Sequence, residues 1–203
     1  MELLSLRQYI TEETNAKHHV LAFGRMNPPT KGHMKVIDKV HDVAAKHDAG
    51  HTVVTSHSQD KNKNPLTSAQ KMKHLQRFSP QTNFKASSSE HPTILHHAAS
   101  LHKKGVTHLH VVVGSDRKKE MHTLLNKYND KEGKHGHYNF KKITVHSAGS
   151  RDPDAEGTGG ISATKQREHA AKGDFARFKK GVPEHVSDAH AKELMHDVQR
   201  GSK

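Results

Sequence analysis

His19-Val20-Leu21-Ala22-Phe23 runs directly into Gly24-Arg25-Met26-Asn27-Pro28-Pro29-Thr30-Lys31-Gly32-His33. The first five residues are a short apolar run closed by a glycine, the pattern of a buried strand. Beyond His33, Met34, Ile37, Val40 and Ala44 fall on one helical stripe, with Val36 and Val43 beside it. Residues 24–33 therefore join a strand end to a helix start. They place two glycines, two cations and a histidine where a helix leaves backbone N–H groups unpaired at the positive end of its dipole. Such a junction suits a phosphate. It matches neither common phosphate loop, lacking both Gly-x-x-x-x-Gly-Lys-Ser/Thr and Gly-x-Gly-x-x-Gly. Gly32 allows a close approach, and His33 points back over the first helical turn. The plain alternative is an ordinary strand-to-helix turn capped by Thr30.

Strand and helix keep alternating outward from this junction. Thr52 to Thr55 reads as a second strand. Thr67 with Gln70 forms a capping box ahead of Met72, Leu75 and Phe78. Asn83 to Ala86 reads as a short strand. A helix opens at Pro92 and closes at Gly105. Leu109 to Val113 is the strongest strand, followed by a helix through Met121, Leu124, Leu125 and Tyr128. Ile143 to Val145 is a further strand, and residues 150–160 are a loop rich in glycine and acid. Helices follow over 161–172, from Asp174, and from Ser187 to Arg200. Short strands that are apolar rather than alternating, separated by helices, predict an α/β fold, a Rossmann-like parallel sheet with helices on both faces and short C-terminal helices. Its ligands belong at the carboxyl ends of the strands. The expected organisation is a tail over 1–16, one domain over 17–181 and a C-terminal helix over 182–203.

The composition narrows the function classes. With 203 residues, one domain is the natural size. No apolar run approaches the ~20 residues of a membrane span. Zero cysteines exclude a disulfide scaffold, a thiolate metal site and a Cys nucleophile. No secretory signal is visible, so a soluble, cytoplasmic protein is expected. The net charge of +12 favours anionic partners, nucleotides or nucleic acid. The 22 histidines are spread along the whole chain in pairs such as His18–His19 and His96–His97 and alternations such as His108/His110. With no His-Glu-x-x-His among them they read as solvated side chains, and no metal ligand set is assigned.

A second segment carries chemistry: Gly159-Gly160-Ile161-Ser162-Ala163-Thr164-Lys165-Gln166-Arg167. Ser162 is a natural N-cap. Thr164 and Arg167, three residues apart, share a helix face. Hydroxyls, free N–H groups and a guanidinium converge on one helix start, which suits a polyphosphate. A capped basic surface helix is the alternative here.

Taken together, the two segments resemble the nucleotidyltransferase superfamily marked by His-x-Gly-His and, downstream, Ile-Ser-x-Thr-x-x-Arg. Gly24-Arg25, Asn27-Pro28 and Gly32-His33 look closest to the nicotinamide mononucleotide adenylyltransferase branch of archaeal type and its phage relatives. Asn64-Pro65-Leu66-Thr67 is similar to a Pro-Phe-Thr element of that branch, and Val113-Gly114-Ser115-Asp116 looks like its strand-end Gly-Ser-Asp. The resemblance spans roughly residues 18–181. One departure is Thr30, which stands where the first motif histidine usually lies.

The resemblance implies transfer of a nucleoside monophosphate, AMP from ATP first, to a phosphorylated acceptor such as nicotinamide mononucleotide, with pyrophosphate leaving. A cytidylyltransferase is the nearest alternative. A degenerate, basic nucleotide- or nucleic-acid-binding protein packaged in a phage head is another. His33, Thr30 and Arg167 would be catalytic. Gly24, Arg25, Asn27, Lys31, Gly32, Ser162 and Thr164 would bind nucleotide. Asp116 and Arg117 would face the acceptor, although Asp116 reads equally well as a helix N-cap. Magnesium would arrive on the triphosphate, with no protein cage. The positive charge implies non-specific DNA contact, no membrane partner is expected, and self-association stays open. Lys61 and Lys63 read as a solvated run, and Asp152, Asp154 and Glu156 as a solvated acidic loop. The Leu-rich start of residues 1–12 and their Ile10-Thr11-Glu12 ending resemble a phage head-targeting peptide cut after Glu12, which would place the protein in the host cytoplasm and then in the virion; an N-terminal helix docking on the domain or on a second subunit is the alternative.

Overall fold

Leu21, Val53, Leu109 and Val111 are wholly buried, and the short apolar runs that hold them do form strands. The computed structural model describes residues 16–149 and 161–203. Most of the expected tail, its cleavage point after Glu12, and the acidic loop with Asp152, Asp154 and Glu156 lie outside the described residues. In chain order the elements are β1 (His18–Gly24), α1 (Lys31–Lys46), β2 (Gly50–Thr55), α2 (Ser68–Phe78), β3 (Phe84–Ala86), α3 (Ile94–Lys103) and β4 (His108–Val113). A 3-10 turn (Ser115–Arg117), α4 (Lys118–Lys127), β5 (Lys142–Ser147), α5 (Ala163–Ala171), α6 (Phe175–Lys180) and α7 (Asp188–Gly201) follow.

The five strands pair in parallel in the order β3-β2-β1-β4-β5. Alternate residues feed opposite faces of the sheet. Val20, Ala22, Val53 and Val112 pack under Ile37, Val40 and Val43 of α1. Leu21, Val54, Leu109 and Val111 pack against Ala98 of α3 and Met121 and Leu125 of α4. Helices therefore cover both faces, as strands without polar alternation require. The order reverses between β1 and β4, which opens a crevice at their carboxyl ends.

A third apolar cluster joins Ala170 of α5, Phe178 of α6 and Leu194 and Val198 of α7 to Leu66 and Phe78. The C-terminal helices thus pack on one another and on α2. Several contacts fix α7 there, Glu193 pairing with Lys73 and Arg77 of α2 among them. His74 Nε2 lies 2.9 Å from Asp197 Oδ2, both buried. Gly201 presses on the Pro65 carbonyl, where a Cβ would meet the oxygen at 1.9 Å.

The helix starts shift slightly from the pattern reading. α1 begins at Lys31 rather than Met34, because Thr30 is extended and takes the N-cap position. α3 begins at Ile94, after Thr93 rather than Pro92. Gly105 closes α3 at φ +83°, a left-handed backbone that glycine adopts without strain. Among the described residues no helix is long and apolar enough to cross a membrane.

Candidate active site

β1 delivers Phe23 and Gly24 to the crevice, and β4 delivers Val112 and Val113, with Gly114 just beyond its end. α1 adds Gly32 and His33, and α5 adds Thr164 and Arg167. Together they line one cleft of about 360 Å³, with Arg25, Met26, Asn27, Thr30, Lys35, Lys63, Asp116 and Arg117 on its walls. The starts of two helices remote in sequence therefore meet at one place. The bond that joins them is specific: Arg167 Nη1 donates to the Asn27 carbonyl at 2.8 Å. Nη2 of the same guanidinium donates to Thr164 Oγ1 at 3.2 Å.

His33 is held by the residue that caps its own helix. The Thr30 backbone N–H donates to His33 Nδ1 at 3.0 Å, and Thr30 Oγ1 lies 2.9 Å from the same nitrogen. A backbone N–H can only donate, so Nδ1 carries no proton and the neutral ring holds its proton on Nε2. Thr30 is buried while His33 is only half-buried. The backbone N–H and hydroxyl of Thr30 thus together fix the orientation of the His33 ring.

The electrostatics favour an anion. Arg25, Lys35, Lys63, Arg117 and Arg167 all line the cleft, and Asp116 is the sole acid among the described lining residues. Burial, then the neighbouring charge of Arg25, push the Arg167 guanidinium below its ordinary pKa, with Asp60 and Glu168 opposing. Guanidinium groups brought together away from bulk water repel unless an anion lies between them.

Not every expected residue meets the cleft as foreseen. Lys31 and Ser162 are absent from its lining. Lys31 faces the C-terminal segment instead: its N–H donates to Gly181 O at 2.7 Å, and its ammonium pairs with Glu184 Oε1 at 2.7 Å. Ser162 caps α5, its hydroxyl accepting from Lys165 N at 3.2 Å. Asn27 reaches the cleft, but its side-chain amide is occupied. It donates to Leu66 O at 3.0 Å and accepts from Leu66 N at 2.9 Å, because a primary amide matches a peptide unit edge to edge. Asp116 is not the N-cap of α4; Arg117 holds that position, and Asp116 sits exposed in the 3-10 turn at the cleft edge.

Two cations on the wall carried little signal in the sequence. Lys35 sits off the apolar stripe of α1, like any solvated lysine. Lys63 is brought in by a tight turn in which Asp60 Oδ1 accepts from the backbone N–H groups of Asn62 and Lys63 at 3.0 and 2.7 Å. Its neighbour Lys61 instead donates to the Lys203 carbonyl.

Comparison with known proteins bears on the family and the fold. A family model described as cytidylyltransferase-like matches residues 21–169. Among solved structures, a nicotinic acid mononucleotide adenylyltransferase of Plasmodium falciparum, complexed with NaAD, is similar at a TM-score of 0.55 and 16% identity. The alignment covers 87% of this chain and 95% of that one. At such identity the likeness bears on the fold. No curated protein matches the sequence.

Proposed function

The chain belongs to the cytidylyltransferase-like family, and from that premise we propose that it transfers AMP from ATP to a phosphorylated acceptor such as nicotinamide mononucleotide, releasing pyrophosphate. Family and fold together point to nucleotidyl transfer. The observation that carries the reading is the 2.8 Å bond from Arg167 to Asn27 O, which unites both helix starts in a cleft that His33 also lines. The choice of acceptor is supported by the resemblance of Gly24-Arg25, Asn27-Pro28 and Gly32-His33 to the adenylyltransferase branch and by the Plasmodium neighbour's substrate.

An acceptor phosphate oxygen attacks the α-phosphorus of the triphosphate. The bond from that phosphorus to the α–β bridging oxygen breaks, and its electron pair leaves with pyrophosphate. No covalent enzyme intermediate is needed. The protein's work is alignment and neutralisation of charge growing on the phosphoryl oxygens. His33 donates from Nε2 to an α-phosphate oxygen, and Thr30 is the positioning residue that keeps the proton there. Arg25, Arg167, Lys35 and Lys63 hold the β- and γ-phosphates. Thr164 orients Arg167, and Gly24 and Gly32 let the phosphates approach the backbone. Asp116 and Arg117, on the β4 side, face the acceptor. Asp116, the one carboxylate among the described lining residues, would be the side chain nearest to a magnesium ion brought by the triphosphate, which would supply charge neutralisation there.

A screen for pyrophosphate release tests this reading. The protein is incubated with Mg²⁺, each nucleoside triphosphate in turn, and phosphorylated acceptors beginning with nicotinamide mononucleotide. Release that requires both ATP and a mononucleotide acceptor is the expected result. Release with CTP alone would make it a cytidylyltransferase. Binding without release under every pairing would leave a nucleotide-binding protein, a reading that the charge of +12 supports and Thr30 permits.

A further inference from the structure

The end of the sheet remote from the cleft holds a different constellation. His18 opens β1, His110 is the third residue of β4, and His47 caps the C-terminus of α1. They converge because α1 runs back over the sheet from the cleft, so its last turn arrives above the strand starts. The register pairs His18 with His108 and Val20 with His110. On alternating strands this puts His18 and His110 on the face that Val20, Ala22 and Val112 present to α1.

We propose that His18, His47 and His110 bind a borderline divalent transition metal, Zn²⁺ in the first instance. One ring nitrogen from each of the three lies within 4.8 Å of the others. The His47 and His110 rings stack with centroids 4.2 Å apart, and those of His18 and His47 with centroids 5.2 Å apart. His18 Nδ1 and His110 Nε2 are 2.9 Å apart. With metal–nitrogen bonds of ~2.0–2.1 Å, ligands of a tetrahedral centre lie ~3.3 Å apart. Metal binding on this site requires the rings to turn so that the 2.9 Å pair opens, the other two pairs close, and the three in-plane lone pairs meet at one point.

The donor set selects the metal. Three imidazoles with no carboxylate suit Zn²⁺, Ni²⁺, Co²⁺ or Cu²⁺, whereas Mg²⁺ and Ca²⁺ require oxygen. A support outside the ligands is already in place: His110 Nδ1 lies 3.0 Å from His146 Nε2. Metal-bound histidines commonly donate their second N–H to an acceptor outside the ligand set, and the His146 ring nitrogen offers one here. The fourth position is left for water, a structural or regulatory site rather than part of the transfer chemistry.

Equilibrium dialysis of tag-free, chelator-treated protein against Zn²⁺, with Co²⁺ absorption as a geometric probe, tests the proposal. One site per chain is expected, well resolved from the weak background of the other histidines, and Co²⁺ should give the intense visible bands of a four-coordinate centre. His18→Gln and His47→Gln, both at half-buried positions, should each weaken that site by at least ~100-fold, and His146→Gln by ~10-fold, as for the loss of an outer partner. His91→Gln, at an exposed position elsewhere, should leave it unchanged. Circular dichroism confirms that each variant is folded. Absence of a resolved site, or a site that survives both His18→Gln and His47→Gln, would overturn the proposal.

Discussion

Replacing His97 by Leu should flatten the acid limb of the stability curve by about one proton. His97 lies on α3, 4% exposed, against Phe23, and its Nε2 has no hydrogen-bond partner among the described residues. Burial, then the charges of Lys85 and His91, push its pKa from 6.5 down to about 4. The direction is opposite to that of a histidine that gains an acidic partner. Below pH 6.5 the unfolded chain takes up a proton that the native state refuses. Stability is therefore lost as pH falls from 7 towards 4 and stops falling through this group below that. Between pH 7 and pH 5 the loss is about 2 kcal/mol, set almost wholly by the unfolded value because the native group is still neutral at pH 5. Urea unfolding of the wild type and His97→Leu at pH 7, 6 and 5 measures it. The difference between the two proteins should grow by about 2 kcal/mol in favour of the variant over that range. Parallel curves would show that His97 takes up its proton in the native state and would refute the reasoning.

Three further outcomes follow from the same geometry. His33→Ala removes the Nε2 donor and should lower turnover at least ~100-fold, about 3 kcal/mol, in a pyrophosphate assay; unchanged turnover would take the imidazole out of the mechanism. Arg167→Lys keeps the charge but cannot serve Asn27 O and Thr164 Oγ1 together, so a ~10–100-fold loss in kcat/KM for ATP is expected in steady-state kinetics. Lys71, fully buried with its ammonium on the Ser56 carbonyl, has its pKa pushed by burial from 10.5 to about 8. The unfolded chain holds that proton more tightly between pH 8 and 10.5, so stability should rise with pH across that window by about 1–3 kcal/mol, and Lys71→Met should abolish the rise in urea titrations.

Much of this molecule was legible in the sequence because its signals are local. Val20 to Phe23 and Val111 to Val113 are apolar without alternation, the pattern of a sheet covered on both faces. Ser162 and Thr67 are caps whose side chains act within their own first turn. What escaped depended on the meeting of distant segments. Nothing around Lys31 shows that Glu184 will draw it away from the cleft, and nothing around Asn27 shows that its amide will be matched to Leu66. Thr30 could be read as a hydroxyl donor, but not as the group that fixes the His33 tautomer. That assignment needs the turn geometry that aims its backbone N–H at Nδ1. The C-terminal helices were visible as elements, while their packing on Leu66 and Phe78 was not.

The most direct test is a crystal structure of the protein soaked with Mg²⁺ and a non-hydrolysable ATP analogue. The triphosphate should lie between the starts of α1 and α5, with His33 Nε2 within hydrogen-bond distance of an α-phosphate oxygen and the Arg167 guanidinium on the β- or γ-phosphate. A triphosphate bound elsewhere, or one that touches only one of these two residues, would contradict the account.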